Sequence, residues 1–274
     1  MNPIEQNLNN LLDLWKKYGA VSHSLAGMEL YQHVTWPNRV WLERKSNTAS
    51  INDLHSNPLE KVIQQIAPGR ILPIIDDKSL DQPLTLNWLN HTSYLNSFLD
   101  KHQYTSIFQL TAMHKKFNAA QDSEYKTDLA IEVIQAVNKQ AQPDSQKQLR
   151  TWIEITNEAF QYQVTPNVIQ GLLAYPEIKL LLFYHHSTPV ASALLNVSQN
   201  TIGIHQVGVK KSMQGQGIGL KVMKEILQFS ANLNTDSLVL QASKAGLPLY
   251  QKLGFNELFQ INHYWIAKQP DEVV

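Results

Sequence analysis

Apolar positions along this chain switch between two spacings, and the switch is sharpest across residues 202–229. Ile202-Gly203-Ile204-His205-Gln206-Val207-Gly208-Val209 is rich in β-branched residues and predicts a strand, its two glycines marking a bulge or a close backbone approach. From Ile218 the spacing lengthens: Ile218, Val222 and Ile226 recur every four residues with Met223 and Leu227 beside them. Lys221, Lys224, Glu225 and Gln228 fall outside that stripe, which is the pattern of an amphipathic helix. Between the two lies Gln214-Gly215-Gln216-Gly217-Ile218-Gly219, with glycines at alternate positions where the helix is about to begin. Glycines there let a ligand reach the main chain, and the unpaired amides of a first helical turn suit a pyrophosphate, with Lys210 and Lys211 close by in sequence.

The same reading predicts the other elements. Upstream they are a helix over 8–18, a strand region over 28–43 broken at Trp36-Pro37-Asn38, a helix over 58–66, a strand over 70–75, a helix over 84–102 and a strand over 104–113. A small-residue polar stretch at 118–124 predicts a boundary. Beyond it come a strand over 129–137, a loop at 140–145, helices over 146–160 and 165–173, and strands over 180–184 and 190–195 joined as a hairpin through His185-His186-Ser187-Thr188-Pro189. A further strand is expected at 238–241.

Composition narrows the classes. The chain has 274 residues, room for one large or two ordinary domains, and 23 basic against 23 acidic residues, so no net charge favours nucleic acid or an anionic membrane as a partner. With no cysteine, disulfides, thiolate metal sites and a cysteine nucleophile are excluded. The ten histidines show no ligand spacing, and no metal is expected. No apolar run approaches the roughly 20 residues of a membrane span, and residues 1–7 lack a basic segment followed by an apolar one. The expectation is a cytoplasmic protein, monomer or homodimer.

Two blocks add a resemblance. Gln-x-x-Gly-x-Gly at 214–219, preceded by Val207-Gly208-Val209, closely resembles the acyl-CoA loop of the GNAT superfamily of N-acyltransferases. Ala245-Gly246-Leu247-Pro248-Leu249-Tyr250-Gln251-Lys252-Leu253-Gly254-Phe255 looks like that superfamily's Leu-Tyr-x-x-x-Gly-Phe signature. The predicted order of elements from 128 to 268 is also similar. Residues 1–125 give a weaker echo without the loop, since Gly19, Gly27 and Gly69 are the glycines before residue 150 and stand isolated. The resemblance therefore implies an α/β (α+β) fold of tandem GNAT-like units, with mixed, mostly antiparallel sheet flanked by helices. A degenerate domain would occupy 1–125, and an acetyltransferase domain holding acetyl-CoA would occupy 126–274.

The implied activity is transfer of an acetyl group from acetyl-CoA to a primary amine, of a small molecule rather than a protein. In the superfamily the pantetheine arm takes main-chain hydrogen bonds, here from Val207 and Val209 around Gly208. The pyrophosphate would meet the amides of Gln214, Gly215, Gln216, Gly217, Ile218, Gly219 and Leu220. Tyr250 occupies the position of a tyrosine near the thioester sulfur, where a phenol can protonate the leaving thiolate. Strand alternation puts His205 on one face with Gly203 and Val207, a face on which relatives carry a base or a water-holding residue, and turns Gln206 away. Phe160, Tyr162 and Gln163 fall where relatives contact the acceptor. The sequence departs from the pattern at Ser243, where asparagine is usual and contact with the cofactor arm would be shorter in reach, at Gly246 in place of alanine, and in lacking a glutamate on the strand before the loop. A second class is a non-catalytic acyl-CoA-binding regulatory or interaction module. Aminoacyl-tRNA-dependent peptidyl transferases also use tandem units, but they typically lack the CoA loop, and the neutral charge gives no tRNA footprint.

Overall fold

The structure, a computed structural model, describes residues 2–25, 28–44, 66, 69–76, 104, 106–122, 124–134 and 143–266. In chain order the elements begin with α1 (Pro3–Lys17), β1 (Ala20–Leu25), β2 (Met28–His33), β3 (Val40–Arg44), β4 (Arg70–Ile75), β5 (Ser106–Lys116) and a single turn, α2 (Ala119–Asp122). They continue with β6 (Leu129–Val133), α3 (Pro143–Phe160), α4 (Pro166–Leu172), β7 (Ile178–His185), β8 (Thr188–Ser198), β9 (Thr201–Val209), α5 (Ile218–Ser230), β10 (Ser237–Ala242), α6 (Leu247–Lys252) and β11 (Asn256–Ile266). Most strand pairs are antiparallel, with β9 and β10 parallel, and the α/β class expected from the sequence is the one observed. The helices expected over 58–66 and 84–102 lie outside the described residues, apart from Ile66.

The chain forms two compact units, and neither is contiguous. One comprises Met1–Tyr18, Met113–Gln241 and Ala245–Asn256; the other comprises Gly19–Ala112, Ala242–Lys244 and Glu257–Val274. This differs from the expected cut between 125 and 126 at both ends of the chain. The first helix belongs with the glycine loop because its polar side chains are bonded to β5, β8, β9 and β10, as described below. Nearly all of β11 leaves that unit because it pairs with β4, from Ile261↔Ile75 to Ile266↔Arg70.

In the loop-bearing unit the strands run β6-β7-β8-β9-β10, followed by the C-terminal end of β5. α1 starts at a capping box: Asn2 Oδ1 accepts from the Glu5 amide at 2.8 Å, the Glu5 carboxylate accepts from the Asn2 amide, and Pro3 fills the first helical position. α3 lies against β8, its Trp152 indole donating to Ala193 O at 2.9 Å and Thr156 Oγ1 sitting 3.0 Å from Ser192 Oγ. The apolar stripe read for α5 is its buried side: Ile218, Val222, Met223, Ile226 and Leu227 are each 3 % exposed or less. Full burial of each such chain contributes about 1.5–3 kcal/mol of the hydrophobic stabilisation.

In the other unit β1, β2 and β3 form an antiparallel sheet, and β4 lies beside β11, which neighbours β5. Trp41 is fully buried and stacks on Tyr31 at 5.2 Å, so this tryptophan of the Trp36–Trp41 segment is core. The strand β1 has no counterpart among the expected elements; its short run Ala20-Val21-Ser22-His23-Ser24-Leu25 is too polar to stand out by alternation.

Candidate functional site

The glycine loop begins where β9 ends. β8 follows β9 as far as Ala191↔Val209, but β10 pairs with β9 from Ser237↔Thr201 only to Leu240↔Ile204. From Gln206 to Val209, therefore, the edge of β9 on the β10 side carries no described strand ladder. Unpaired main-chain groups at a strand edge are a template for an extended ligand.

A β-bulge sits at the point where the strands part. Ser192 pairs with Gly208 and Leu194 with His205, so Ala193 alone opposes both Gln206 and Val207, and Gln206 takes φ 51°. The bulge breaks the alternation expected from the sequence. Gly203 and His205 share a face, as read, but Gly208 rather than Val207 resumes it, because Gly208 and His205 pair with Ser192 and Leu194 two positions apart on β8. Gln206 was expected to turn away toward core or helix; its Oε1 instead accepts from the Tyr162 hydroxyl at 2.6 Å. The ring of Tyr162 stacks with that of Phe160 at 5.5 Å, and Phe160 is exposed.

The strand glycines serve protein packing. A Cβ on Gly203 would lie 1.8 Å from Asn10 Oδ1, and one on Gly208 would lie 2.9 Å from the Ala159 Cβ. Asn10 and α3 therefore approach the backbone at these two points, where the sequence had suggested a ligand.

The loop itself has the geometry of an anion cradle. Gly215 and Gly217 take φ 74° and 76°, a left-handed conformation that glycine adopts without steric cost. Gly217 caps α5, and its carbonyl takes the amides of Leu220 and Lys221 at 3.1 and 3.2 Å. The amides of Gly215, Gln216, Gly217, Ile218 and Gly219 donate to no described residue, which leaves them for an acceptor from outside. Side chains hold the turn in place: Gln214 Nε2 donates to Val209 O at 3.0 Å, Gln216 Nε2 to Ser212 O at 2.9 Å, and the Lys211 amide to Glu158 Oε1 at 2.7 Å. Residues 214–217 are exposed. Of the expected set, the Leu220 amide is used within the helix, and Ser243 lies exposed just after β10.

Tyr250 is on α6, whose Leu249 faces the first turn of α5; a Cβ on Gly219 would touch Leu249 Cδ2 at 3.6 Å. The signature's glycine and phenylalanine end this helix. Gly254 takes φ 83°, and the Phe255 amide returns to Tyr250 O at 3.1 Å, bringing the Phe255 ring edge-on to Tyr250 at 6.0 Å. Tyr250 keeps partial exposure, yet burial pushes its phenol up to about 12, so it is a proton donor at neutral pH.

His205 is 9 % exposed, and its Nε2 lies 3.1 Å from Asn10 Oδ1. Asn10 belongs to a polar stripe on α1 that sequence reasoning missed. Asn7 Nδ2 donates to Met113 O and Leu240 O at 2.9 and 3.1 Å, and Gln241 Nε2 donates back to Asn7 Oδ1 at 2.7 Å. Asn7 and Asn10 are both fully buried. The signal was a periodicity: Asn7, Asn10, Asp13 and Lys17 recur every three or four residues, as a second buried side of a helix would.

At the β7–β8 hairpin, the His185 and His186 rings lie 4.2 Å apart and tilted by 51°, His186 and Ser187 forming the left-handed turn, and His185 Nε2 lies 3.3 Å from Asp128. Among the described residues no three histidine or carboxylate side chains converge to form a metal site, and no described helix is long and apolar enough to cross a membrane.

Residues 129–262 match the family model described as an acetyltransferase (GNAT) domain. Among solved structures, the chain is similar to a GCN5-related N-acetyltransferase from Kribbella flavida at 12 % identity, with a TM-score of 0.63 and 96 % of each chain covered. It is also similar to a GCN5-related N-acetyltransferase-like protein from Streptococcus suis, at 11 % identity and a TM-score of 0.53, covering 94 % of this chain and 99 % of that one. A GCN5-related N-acetyltransferase from Sphaerobacter thermophilus matches at 12 % identity and a TM-score of 0.54, covering 89 % of this chain and 78 % of that one. At these identities the likeness is one of fold. No curated protein matches the sequence.

Proposed function

We propose that this chain, whose residues 129–262 match the GNAT acetyltransferase domain, is an acyltransferase of that superfamily that moves an acetyl group from acetyl-CoA to a primary amine of a small-molecule acceptor. The observation that carries the reading is the pairing of two open backbone surfaces in one unit: the free amides of Gly215 to Gly219 and the unladdered edge of β9 from Gln206 to Val209. A pyrophosphate fits the first, where helix dipole and amides add, and an amide-bearing pantetheine arm fits the second, with Val207 and Val209 as its main-chain partners.

Transfer requires a base to deprotonate the amine and an acid for the thiolate that leaves. Tyr250, neutral at pH 7, donates its phenol proton to the departing sulfur, and His205 accepts the proton of the attacking amine, directly or through water. The exposed Phe160 ring and the half-buried Tyr162 ring, the latter joined to β9 through Gln206, form the acceptor's contact surface. Aromatic faces suit an ammonium group waiting to be deprotonated. Residues 1–125 are read as a GNAT-like copy without a cofactor loop. The enzyme is read as cytoplasmic, monomer or homodimer, and its balanced charge favours neither nucleic acid nor an anionic membrane as a partner.

The test is release of free thiol from acetyl-CoA over a panel of polyamines, amino acids and aminoglycosides, run beside calorimetric titration with acetyl-CoA. Binding accompanied by amine-dependent thiol release supports the reading. Binding with no release against any amine identifies an acyl-CoA-responsive module, and absence of binding removes the cofactor assignment itself.

A further inference from the structure

The geometry points to Asn10 as a positioning residue for His205: we infer that it fixes the imidazole as the Nε2–H tautomer and so leaves Nδ1 as the atom that accepts a proton. The catalytic half of this inference rests on the reading of His205 as the base.

The argument starts from the amide of Asn10. Its Nδ2 donates to Asn196 O at 2.8 Å and to Ser198 Oγ at 2.7 Å, which commits both hydrogens. A main-chain carbonyl can only accept, so the amide cannot be turned the other way. The atom that faces His205 Nε2 at 3.1 Å is therefore Oδ1, an acceptor, and Nε2 must carry the hydrogen between them. A neutral imidazole has one N–H, so the lone pair is on Nδ1. Once Nδ1 takes a proton, Nε2–H still donates to Oδ1, and the same bond serves both states of the ring.

The rest of the contact is built around that bond. Gly203 supplies the space, since a Cβ there would lie 1.8 Å from Oδ1 and 2.4 Å from Nε2. Asn196 Nδ2 returns to Asn10 O at 3.1 Å and to Asp13 Oδ2 at 2.9 Å, while Lys17 Nζ reaches Asp13 Oδ2 at 2.7 Å and Asn196 Oδ1 at 3.0 Å. The charged groups of the network, Asp13 and Lys17, thus neutralise one another. Asn7, one turn earlier, fixes the helix against β5 and β10. A helix held only by apolar packing could slide or rotate without penalty to a histidine; this one is held in register through Asn7, Asn10, Asp13 and Lys17.

The experiment uses long-range ¹H–¹⁵N correlation spectra of the full chain labelled at histidine nitrogens, with His205 assigned by loss of its signals in His205→Gln. The expected result is a protonated Nε2 and an unprotonated Nδ1 at alkaline pH. Asn10→Ala mixes the tautomers and lowers kcat about tenfold, a fraction of what a general base contributes, with acetyl-CoA affinity unchanged. Ser198→Ala removes a partner of Asn10 without touching His205 and serves as the control for general loosening: it lowers Tm but leaves the tautomer and kcat as they were. A wild-type Nδ1–H tautomer, an unaltered tautomer in Asn10→Ala, or an equal kcat loss in both variants at matched Tm overturns the inference. If His205→Ala retains kcat and its pH profile while the tautomer result holds, it is the base reading that has failed.

Discussion

Tyr162 gives its hydroxyl hydrogen to Gln206 Oε1 at 2.6 Å, so the segment after α3 is bonded to the very residue whose positive φ creates the bulge in β9. Tyr162→Phe keeps the ring stack with Phe160 and deletes this bond. The loss is about 1 kcal/mol, seen as a fall of roughly 2–4 °C in Tm. Because the bulge borders the assigned acceptor surface, KM for the amine rises while the affinity for acetyl-CoA stays constant. A change confined to the acetyl-CoA affinity would place the pair on the cofactor side.

Gly203→Ala drives a methyl group into Asn10 and His205. The atoms it meets are side-chain ends, but they are buried and bonded, so the cost is that of overpacking, about 1–3 kcal/mol. Combining it with Asn10→Ala recovers part of the loss, which a double-mutant cycle from urea unfolding measures. Strict additivity of the two changes would show that the contact is not the cause.

Gly217→Glu strikes the cradle in two ways: a side chain is forced into the left-handed region, and a carboxylate is placed beside the pyrophosphate. Affinity for acetyl-CoA falls at least about 100-fold, or some 2.7 kcal/mol, by calorimetry. Undiminished binding, or two equivalents bound per chain, would refute the assignment of a single loop site.

Tyr250→Phe keeps the ring and removes the proton, so kcat falls about 10²- to 10⁴-fold with cofactor affinity little changed. The raised phenol adds a sign that can be checked. With a folded pKa of about 12 above the usual 10, the unfolded chain ionises first, so stability is full below pH ~10 and is lost as pH rises from there toward 12. Tyr184 is pushed to the same value by burial and by Glu132, so Tyr250→Phe removes part of that alkaline loss. A urea-unfolding series above pH 9 reads it.

His263 behaves in the opposite sense. Burial, aided by the charge of Arg39, holds its imidazole well below 6.5, and its ring lies 4.1 Å from that of Phe108. The unfolded chain takes up a proton below pH ~6.5 that the folded chain refuses, so this contribution is whole above that pH and shrinks as pH falls through it. His114, depressed by partial burial, adds to the same limb. Tm measured from pH 8 to pH 5 should drop more steeply for the wild type than for His263→Leu, and parallel curves would remove His263 as the cause.

Local chemistry made much of this molecule readable in advance. The α5 stripe, the β7–β8 hairpin and the left-handed glycines of the loop follow from periods and turn residues that act within a few positions of themselves. What escaped depends on partners far along the chain. Nothing local to β9 says that Ala193 will oppose two residues, so alternation carried His205 and Val207 onto one face. Nothing local to α1 says that Asn7 and Asn10 will be buried, because polar residues on a helix are ordinarily read as its wet side; only their amide partners on the sheet make burial affordable. The interleaving of the two compact units was hidden for the same reason, since the pairing of β11 with β4 leaves no mark in either segment.

The placement of α1 also sets an order of assembly. Asn7 is bonded to Met113 and to Gln241, 106 and 234 positions away, so its bonds close loops that take in most of the chain. Contacts of such separation carry a large closure entropy and form late. During synthesis the helix must wait, its amide stripe bare, until β10 has left the ribosome. The cradle leaves the ribosome shortly before β10 and Tyr250 shortly after it, so the docking of α1 and the gathering of these groups fall within one stretch of translation.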